Sequence, residues 1–397
     1  MAINIDKQKI REILERGVVS EILPSREEFE KKLFSGERLR IYLGADPTST
    51  SLHLGHARNY MFLEELRQLG HEVIVLVGDF TAQIGDPSDK EATRPALSEA
   101  QVRENMQDWE NQIRLVLDFE DKNNPPQIQY NSEWLGKLSF RETLDLASEF
   151  TVQQMLERDM FEKRMKEGSP IHLHEFLYPL MQGYDSVALD VDAELCGTDQ
   201  TFNALVGRTL LKRLKNKEKF VIALSLIGNP KTGQLMSKSA GTGIFLSASP
   251  ADMYGALMAQ PDEMTEIFLV NLTRIPLSEK DNILSLGPRD AKARAAFEIV
   301  KRLHGEEKAK EAEKAFEETF QKGNVPEDIP EIHLQDGDFL EQLIRLDIVP
   351  SKSEWKRLVE GNAVETEQGQ KVADPAFVPS ETQTLKIGKR RFVKIIV

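Results

Sequence analysis

Leu39-Arg-Ile-Tyr-Leu-Gly-Ala-Asp-Pro-Thr-Ser-Thr-Ser-Leu-His-Leu-Gly-His56 is the stretch on which the fold turns. Leu39 to Gly44 reads as a short buried strand. A helix follows from about Leu52 to Leu69, with Leu54, Ala57, Met61, Leu63 and Leu66 mainly on one side. Gly70 is placed to cap its C-terminus. Val73-Ile-Val-Leu-Val77 then reads as a second strand, apolar on both faces. Strand, helix, strand in this order predicts a parallel pair joined by a right-handed crossover. His53 and His56 stand where the first strand gives way to the helix. A helix start offers free backbone N–H groups and the positive end of the dipole. Two imidazoles there can donate to phosphate oxygens, and Gly55 leaves room for a nucleotide to approach the backbone.

Outward from this unit, Gly85 to Pro95 is a polar loop. A helix starts at Ser98, where Ser98 and Gln101 make a capping box, and Val102, Met106, Trp109, Ile113 and Val116 carry it on at helical spacing. Ser139 to Lys166 and Tyr178 to Asp185 also read as helical, and Phe220 to Leu226 as a strand. Leu235-Met-Ser-Lys-Ser239 lies on a loop, because Gly228, Pro230, Gly233, Gly241 and Gly243 surround it. Residues from about Pro250 to Lys322 are rich in helix formers. Gly323 to Pro330 reads as a linker, and 335–397 as a small α+β module.

Composition excludes several classes. Of 397 residues, 40% are hydrophobic and 29% charged, the range of a globular protein with room for two or three domains. No apolar run approaches the roughly 20 residues of a membrane span, and Met1 to Arg16 has no signal-peptide core. The single cysteine, Cys196, excludes an internal disulfide and a cysteine-based zinc site. A cytoplasmic protein is expected, with no membrane partner and no structural metal. The net charge of −14 argues against indiscriminate nucleic-acid binding and directs attention to local basic patches.

Two such patches stand out. Arg208, Lys212, Arg213, Lys215, Lys217 and Lys219 form the densest basic run, with positions 208, 212, 215 and 219 on one helical face, suited to phosphates or simply to solvent. In the C-terminal module, Ser351 and Glu354 read as a capping box that places Lys352, Lys356 and Arg357 near a helix start. Lys386, Lys389, Arg390, Arg391 and Lys394 follow on a hairpin turning at Gly388. Trp355 and Phe392 are candidates for base stacking. Elsewhere, Tyr178, Gln182 and Asp185 are spaced i, i+4 and i+7, which puts an aromatic, an amide and a carboxylate on one helical stripe. Apolar Phe176, Leu177, Leu180 and Met181 flank it, which suits a pocket wall better than a solvent face.

Taken together, Tyr42-Leu-Gly-Ala-Asp46-Pro-Thr48, His53-Leu-Gly-His56 and Met236-Ser-Lys238-Ser239 resemble the signature motifs of class I aminoacyl-tRNA synthetases. The Tyr178–Asp185 stripe, Gly85-Asp86-Pro87-Ser88 and Gly197-Thr-Asp199-Gln200 are similar to those of bacterial tyrosyl-tRNA synthetases, and the C-terminal module resembles their small RNA-binding domain. Leu235 departs from that pattern, since the family's loop usually begins with lysine there, with Lys231 four residues earlier as a substitute. Asp89 stands where glycine is common. The resemblance implies an α/β fold: a Rossmann-like parallel-sheet catalytic domain over 1–245 with a helical dimerisation insertion at about 120–190, an α-helical domain over 246–330, and a small C-terminal α+β RNA-binding domain over 335–397. It implies ATP with Mg²⁺, L-tyrosine and tRNA(Tyr) as partners, and a homodimer.

The same resemblance assigns roles by position. Tyr42 and Asp185 would hold the substrate phenol, with Tyr178, Gln182 and Asp86 on its ammonium group and Gln200 beside it. Asp46, His53, Gly55, His56, Asp199 and Lys238 would bind ATP, with Asp199 on the ribose hydroxyls. His53, His56, Thr48 and Lys238 would stabilise the transition state, and Lys90 and Arg94 the leaving pyrophosphate. Lys352, Lys356, Arg357, Lys389, Arg390 and Arg391 would grip RNA. A buried carboxylate and phenol facing a hydroxyl reject phenylalanine, because those groups would be left unpaired. The general example of that effect is this same family, at roughly 10⁵. Three alternatives are a tryptophan enzyme, a synthetase-derived RNA-binding protein without aminoacylation, and a nucleotidyltransferase sharing the histidine motif. The polar stripe opposes the first. The intact tyrosine pocket opposes the second, which only Leu235 favours. The Met236–Ser239 loop and the C-terminal module oppose the third.

Overall fold

Six strands build the main sheet of the computed structural model, which describes residues 3–87, 97–236, 241–320, 330–336, 338–346, 348–366, 369–388 and 391–397. They are Val19–Leu23 (β1), Arg40–Ala45 (β2), Glu72–Val77 (β3), Gln127–Tyr130 (β4), Ala193–Gly197 (β5) and Phe220–Leu224 (β6). Their order is β1-β6-β5-β2-β3-β4, with every neighbour pair parallel except β1 against β6. The parallel pair expected from the opening stretch is β2 and β3, in register from Arg40↔Glu72 to Ala45↔Val77. From β2 the chain moves to β3 and β4 on one side, then returns to β5 and β6 on the other. The crevice beyond the carboxyl ends of β2 and β5 is therefore a topological switch point, where open α/β sheets bind ligands.

The crossover helix spans Leu54–Gln68 and ends in Gly70 at φ 102°. It is buried nearly all round, not on one side only. Even Arg67 is buried, neutralised by Glu64 at 2.7 Å and Asp121 at 2.7 Å. Two longer helices expected from periodicity are broken. The Ser98 capping box is present with both its bonds, but that helix stops at Met106 and a separate one runs Trp109–Arg114. Ser139 to Lys166 resolves into Phe140–Ser148, Val152–Leu156 and Asp159–Lys166. Capping boxes at Ser139/Glu142 and Thr151/Gln154 start new helices there, so local side-chain caps override the apolar spacing.

Residues 1–309 form one compact unit. The helices Pro250–Met258, Met264–Leu272, Leu277–Leu284 and Pro288–His304 thus cluster with the sheet. Residues 310–397 form the second unit. Its sheet comprises Glu331–His333 (β7), Val364–Thr366 (β8), Gln383–Ile387 (β9) and Arg391–Ile396 (β10), in the order β7-β10-β9-β8. The sheet begins at Glu331, ahead of the expected 335, and the expected linker falls almost wholly outside the described residues. Trp355 and Phe339 pack edge to face in its core with Leu343, Val349, Leu385 and Val393.

Candidate active site

The Leu177–Leu189 helix carries the polar stripe into the crevice. Asp185 is 2% exposed. Its Oδ1 accepts from Trp134 Nε1 at 2.7 Å and its Oδ2 from Asn131 Nδ2 at 3.3 Å. Burial pushes this carboxyl well above its usual range, and the two donors pull the other way by favouring the ionised form. Trp134 and Asn131 were missed in the sequence. They follow β4 directly, and Gln127-Ile-Gln-Tyr130 carries too little apolar character to announce itself as a strand.

The same network runs on to Asp46, just beyond β2. Asn131 Nδ2 also donates to Thr81 Oγ1 at 3.0 Å, Thr81 donates to Asp46 Oδ1 at 2.6 Å, and Tyr178 OH donates to Asp46 Oδ2 at 2.9 Å. A Cβ on Gly78 would lie 2.0 Å from Asp46 Oδ1, so only glycine fits beside it. Burial raises the Asp46 carboxyl to about 7, helped by Asp86 and Asp79 and opposed by the hydroxyls of Thr81 and Tyr178. The folded state keeps this proton up to about 7, whereas the unfolded value is 3.8. Its contribution to stability is therefore full below 3.8 and lost as pH rises through about 7. A cation bound nearby would favour the ionised form and release a proton. Affinity for an ammonium ligand in this crevice is expected to increase as pH rises toward about 7 and to level off above it, by at most about tenfold per pH unit. Isothermal titration in buffers of different ionisation enthalpy checks this, and Asp46→Asn is expected to flatten the dependence.

Asp86 sits past the short Thr81–Ile84 helix and accepts from Gln200 Nε2 at 2.6 Å and Arg158 Nη2 at 3.3 Å. Asn203, fully buried, donates to Gln182 Oε1 and to Gln200 Oε1, both at 2.8 Å. That fixes both amides with their oxygens toward Asn203 and their NH₂ groups toward carboxylates, Glu194 for Gln182 and Asp86 for Gln200. Asp199 is exposed on the turn that ends β5. Tyr42 projects from β2 and is 1% exposed, but its hydroxyl meets Ser186 Oγ at 3.0 Å.

His53 is the N-cap of the Leu54–Gln68 helix. Its Nδ1 accepts from Gly55 N at 3.1 Å, and His56 Nδ1 accepts from His53 N at 3.2 Å, with the rings 4.0 Å apart. An Nδ1 that accepts a backbone N–H has no proton, so each neutral ring carries its hydrogen on Nε2. Burial lowers His53 to about 4 and His56 to about 3, so both rings are neutral donors at physiological pH. Gly55 has a reason beyond nucleotide access: a Cβ there would lie 2.8 Å from His53 Cε1. Thr48 is exposed in the loop between Asp46 and His53. That loop is held by Asn105 on Pro47 O at 2.8 Å, Trp109 on Ser49 O at 2.8 Å and Gln112 on Thr50 O at 3.0 Å.

The chain after the glycine-rich loop runs beside the histidine turn. Leu54 N donates to Ile244 O, and Leu246 N to Leu52 O, each at 2.8 Å. Lys238 itself lies outside the described residues, as do Lys90, Arg94, Lys389 and Arg390. Leu235 is exposed, and Lys231 faces Glu263 at 3.5 Å.

Three expectations about basic and aromatic surfaces are corrected. Lys219 is fully buried, because the helix ends at Lys215, Asn216 turns left-handed, and Lys219 enters the core beside β6. Trp355 is 1% exposed and donates to Pro375 O at 2.8 Å, so it packs the module instead of stacking on bases. The Ser351 cap is one-sided, since the Glu354 carboxylate turns to Arg357 at 2.8 Å. Lys352 and Lys356 are exposed on that helix, near Glu341 at 3.5 Å and Glu360 at 3.8 Å. Arg391 Nη1 donates to Ile348 O.

A family model described as tRNA synthetases class I (W and Y) matches residues 35–321. The tyrosine–tRNA ligase of Carboxydothermus hydrogenoformans is 44% identical over 97% of each chain. That of Thermotoga maritima is 40% identical over 96% of each. Among solved structures, a C-terminally truncated mitochondrial tyrosyl-tRNA synthetase from Aspergillus nidulans superposes with a TM-score of 0.67. It is 24% identical and the match covers 79% of this chain and 97% of that one, a likeness of fold. With a parallel sheet whose switch point gathers these side chains, and relatives alike from end to end, the chain belongs to the bacterial tyrosyl-tRNA synthetases of class I.

Proposed function

We propose that L-tyrosine lies in the crevice beyond β2 and β5, with its phenol against Asp185 and Tyr42 and its ammonium group among Asp86, Tyr178, Gln182 and Gln200. As a member of its family, the chain activates tyrosine with ATP to tyrosyl-adenylate and pyrophosphate, then esterifies tyrosine onto the 3′ end of tRNA(Tyr). The observation that carries the substrate reading is the buried Asp185, each oxygen of which already accepts one hydrogen bond, from Trp134 and from Asn131. Its remaining lone pairs suit a hydroxyl hydrogen and are left unmatched by phenylalanine.

In the first step a tyrosine carboxylate oxygen bonds to the α-phosphorus as the bond to pyrophosphate breaks. His53 and His56 offer neutral Nε2–H donors to the phosphate oxygens, with Thr48, Gly55 and Lys238 alongside. Lys90 and Arg94 meet the pyrophosphate, and Asp46 and Asp199 the rest of the nucleotide. Catalysis then comes from position and preformed donors. Mg²⁺ enters with ATP, held mostly by phosphates and water. In the second step a terminal ribose hydroxyl of the tRNA attacks the acyl carbon and AMP leaves. Lys352, Lys356, Arg357, Lys389, Arg390 and Arg391 bind the tRNA backbone. No helix among the described residues is long and apolar enough to cross a membrane, and the enzyme works in the cytoplasm with its tRNA. Tyrosine charging of tRNA(Tyr), beside phenylalanine and tryptophan, tests this reading. Charging with tyrosine alone is expected, and charging with tryptophan would overturn the stripe's assignment.

The insertion supports the reading of a homodimer. Phe140 is 80% exposed, Leu144 51%, Val152 65% and Leu173 81%, and all lie within 120–190. Large apolar side chains gathered in one segment mark an interaction surface. Phe140→Glu with Leu144→Glu, one helical turn apart, is expected to turn a dimer into a monomer in sedimentation velocity. A monomeric unmodified protein would contradict it.

A further inference from the structure

We propose that Lys219, Glu194 and Ser186 form a buried relay that holds the Tyr42 hydroxyl in place for the substrate, making them positioning residues for tyrosine selectivity. The inference rests on the reading above, in which Tyr42 meets the substrate phenol. Lys219 and Glu194 have 0% and 3% side-chain exposure and form an ion pair. Lysine is almost never fully buried, and an isolated buried pair is seldom worth more to a fold than apolar side chains of the same volume. This pair is also provided for by its neighbours. A Cβ on Gly207 would lie 2.7 Å from both Lys219 Nζ and Ser186 Oγ, so that glycine keeps open the channel through which the ammonium group reaches Ser186.

The polar contacts can be followed along the chain. The Lys219 ammonium has only donors, and it gives one to Ser186 Oγ at 2.8 Å. Ser186 Oγ donates to Glu194 Oε2 at 3.4 Å and lies 3.0 Å from Tyr42 OH, a contact in which either hydroxyl can donate. A hydrogen bond between Tyr42 and the Glu194 carboxylate gives the same hydroxyl a second hold. The Tyr42 hydroxyl is thereby kept in place for the substrate oxygen, and Asp185 meets the same group. A ligand lacking that oxygen leaves both unmatched. The pair also reaches the other end of the substrate, because Glu194 Oε1 accepts from Gln182 Nε2 at 3.2 Å. Lys219 also lies over the Tyr42 ring, 5.9 Å from its centroid, so the pair contacts the ring as well as its hydroxyl network.

The test is the ratio of kcat/KM for tyrosine to that for phenylalanine in ATP–pyrophosphate exchange. It is measured for the unmodified enzyme, Tyr42→Phe, Ser186→Ala, the double Tyr42→Phe/Ser186→Ala, and Lys219→Met/Glu194→Gln, which removes both charges together. Ser186→Ala and Lys219→Met/Glu194→Gln are each expected to lower the ratio about tenfold, through tyrosine, with KM for ATP unchanged. The Tyr42→Phe/Ser186→Ala double is expected to match Tyr42→Phe, because Ser186 acts through Tyr42. Equal losses with tyrosine and phenylalanine, or multiplying effects in that double variant, would overturn the relay and leave Tyr42's contact standing. An unchanged ratio in Tyr42→Phe would remove the reading of Tyr42 itself and the relay with it.

Discussion

Asp185→Asn is expected to lower kcat/KM for tyrosine activation by about 10–10²-fold. The substrate hydroxyl loses a charged acceptor, a hydrogen bond of about 1.5–3 kcal/mol. The amide also presents an NH₂ where an oxygen stood, and both oxygens of Asp185 already accept, from Trp134 and from Asn131. Whichever way the amide turns, a donor faces a donor, which costs the folded protein about 1–3 kcal/mol with or without substrate. Phenylalanine gains nothing from the carboxylate, so its slow activation is expected to change little and discrimination to fall by the same factor. Steady-state exchange kinetics measure both, with circular dichroism to show that the variant folds. A loss below about tenfold would mean that no charge-assisted bond is made to the substrate here.

Gly55→Ala is expected to lower kcat for activation by about 10²–10³-fold, with KM for tyrosine nearly unchanged. The new Cβ would meet His53 Cε1 at 2.8 Å and Nδ1 at 2.9 Å. The ring must swing out and give up its bond from Gly55 N. Its Nε2–H then no longer points where the phosphate charge develops, and one preformed donor is lost. The tyrosine stripe lies on another helix and is untouched. Alanine favours helix over glycine by about 1 kcal/mol, so the fold itself does not suffer from propensity. Activity lost without stability lost separates this account from general damage. A variant with unchanged kcat would show that the His53 imidazole need not be held where it is.

The parallel β2–β3 pair, the histidine turn and the Tyr178–Asp185 stripe were legible because each is local: an apolar run, a helix start, a spacing of i, i+4 and i+7. What was illegible depends on elements far apart in the chain. Trp134 and Asn131 reach Asp185 only because β4 pairs with β3 at the sheet edge. Lys219 looked like one more lysine of a basic helix face, and only the early stop at Asn216 sends it inward to Glu194. Trp355 looked like a stacking aromatic for the same reason, since its burial is decided by strands that arrive later in the chain. The broken helix at Ser139 to Lys166 shows the reverse, with caps visible in the sequence outweighing a helix that seemed to run through them.

The central claim is that one crevice recognises a phenol and activates its carboxylate with ATP. Amino-acid-dependent ATP–pyrophosphate exchange, run with tyrosine, phenylalanine and tryptophan on the full chain, tests it most directly. Rapid exchange with tyrosine, and none of comparable rate with the other two, is the expected result. Exchange driven by tryptophan, or by no amino acid in a protein that is folded and binds tRNA(Tyr), would contradict it.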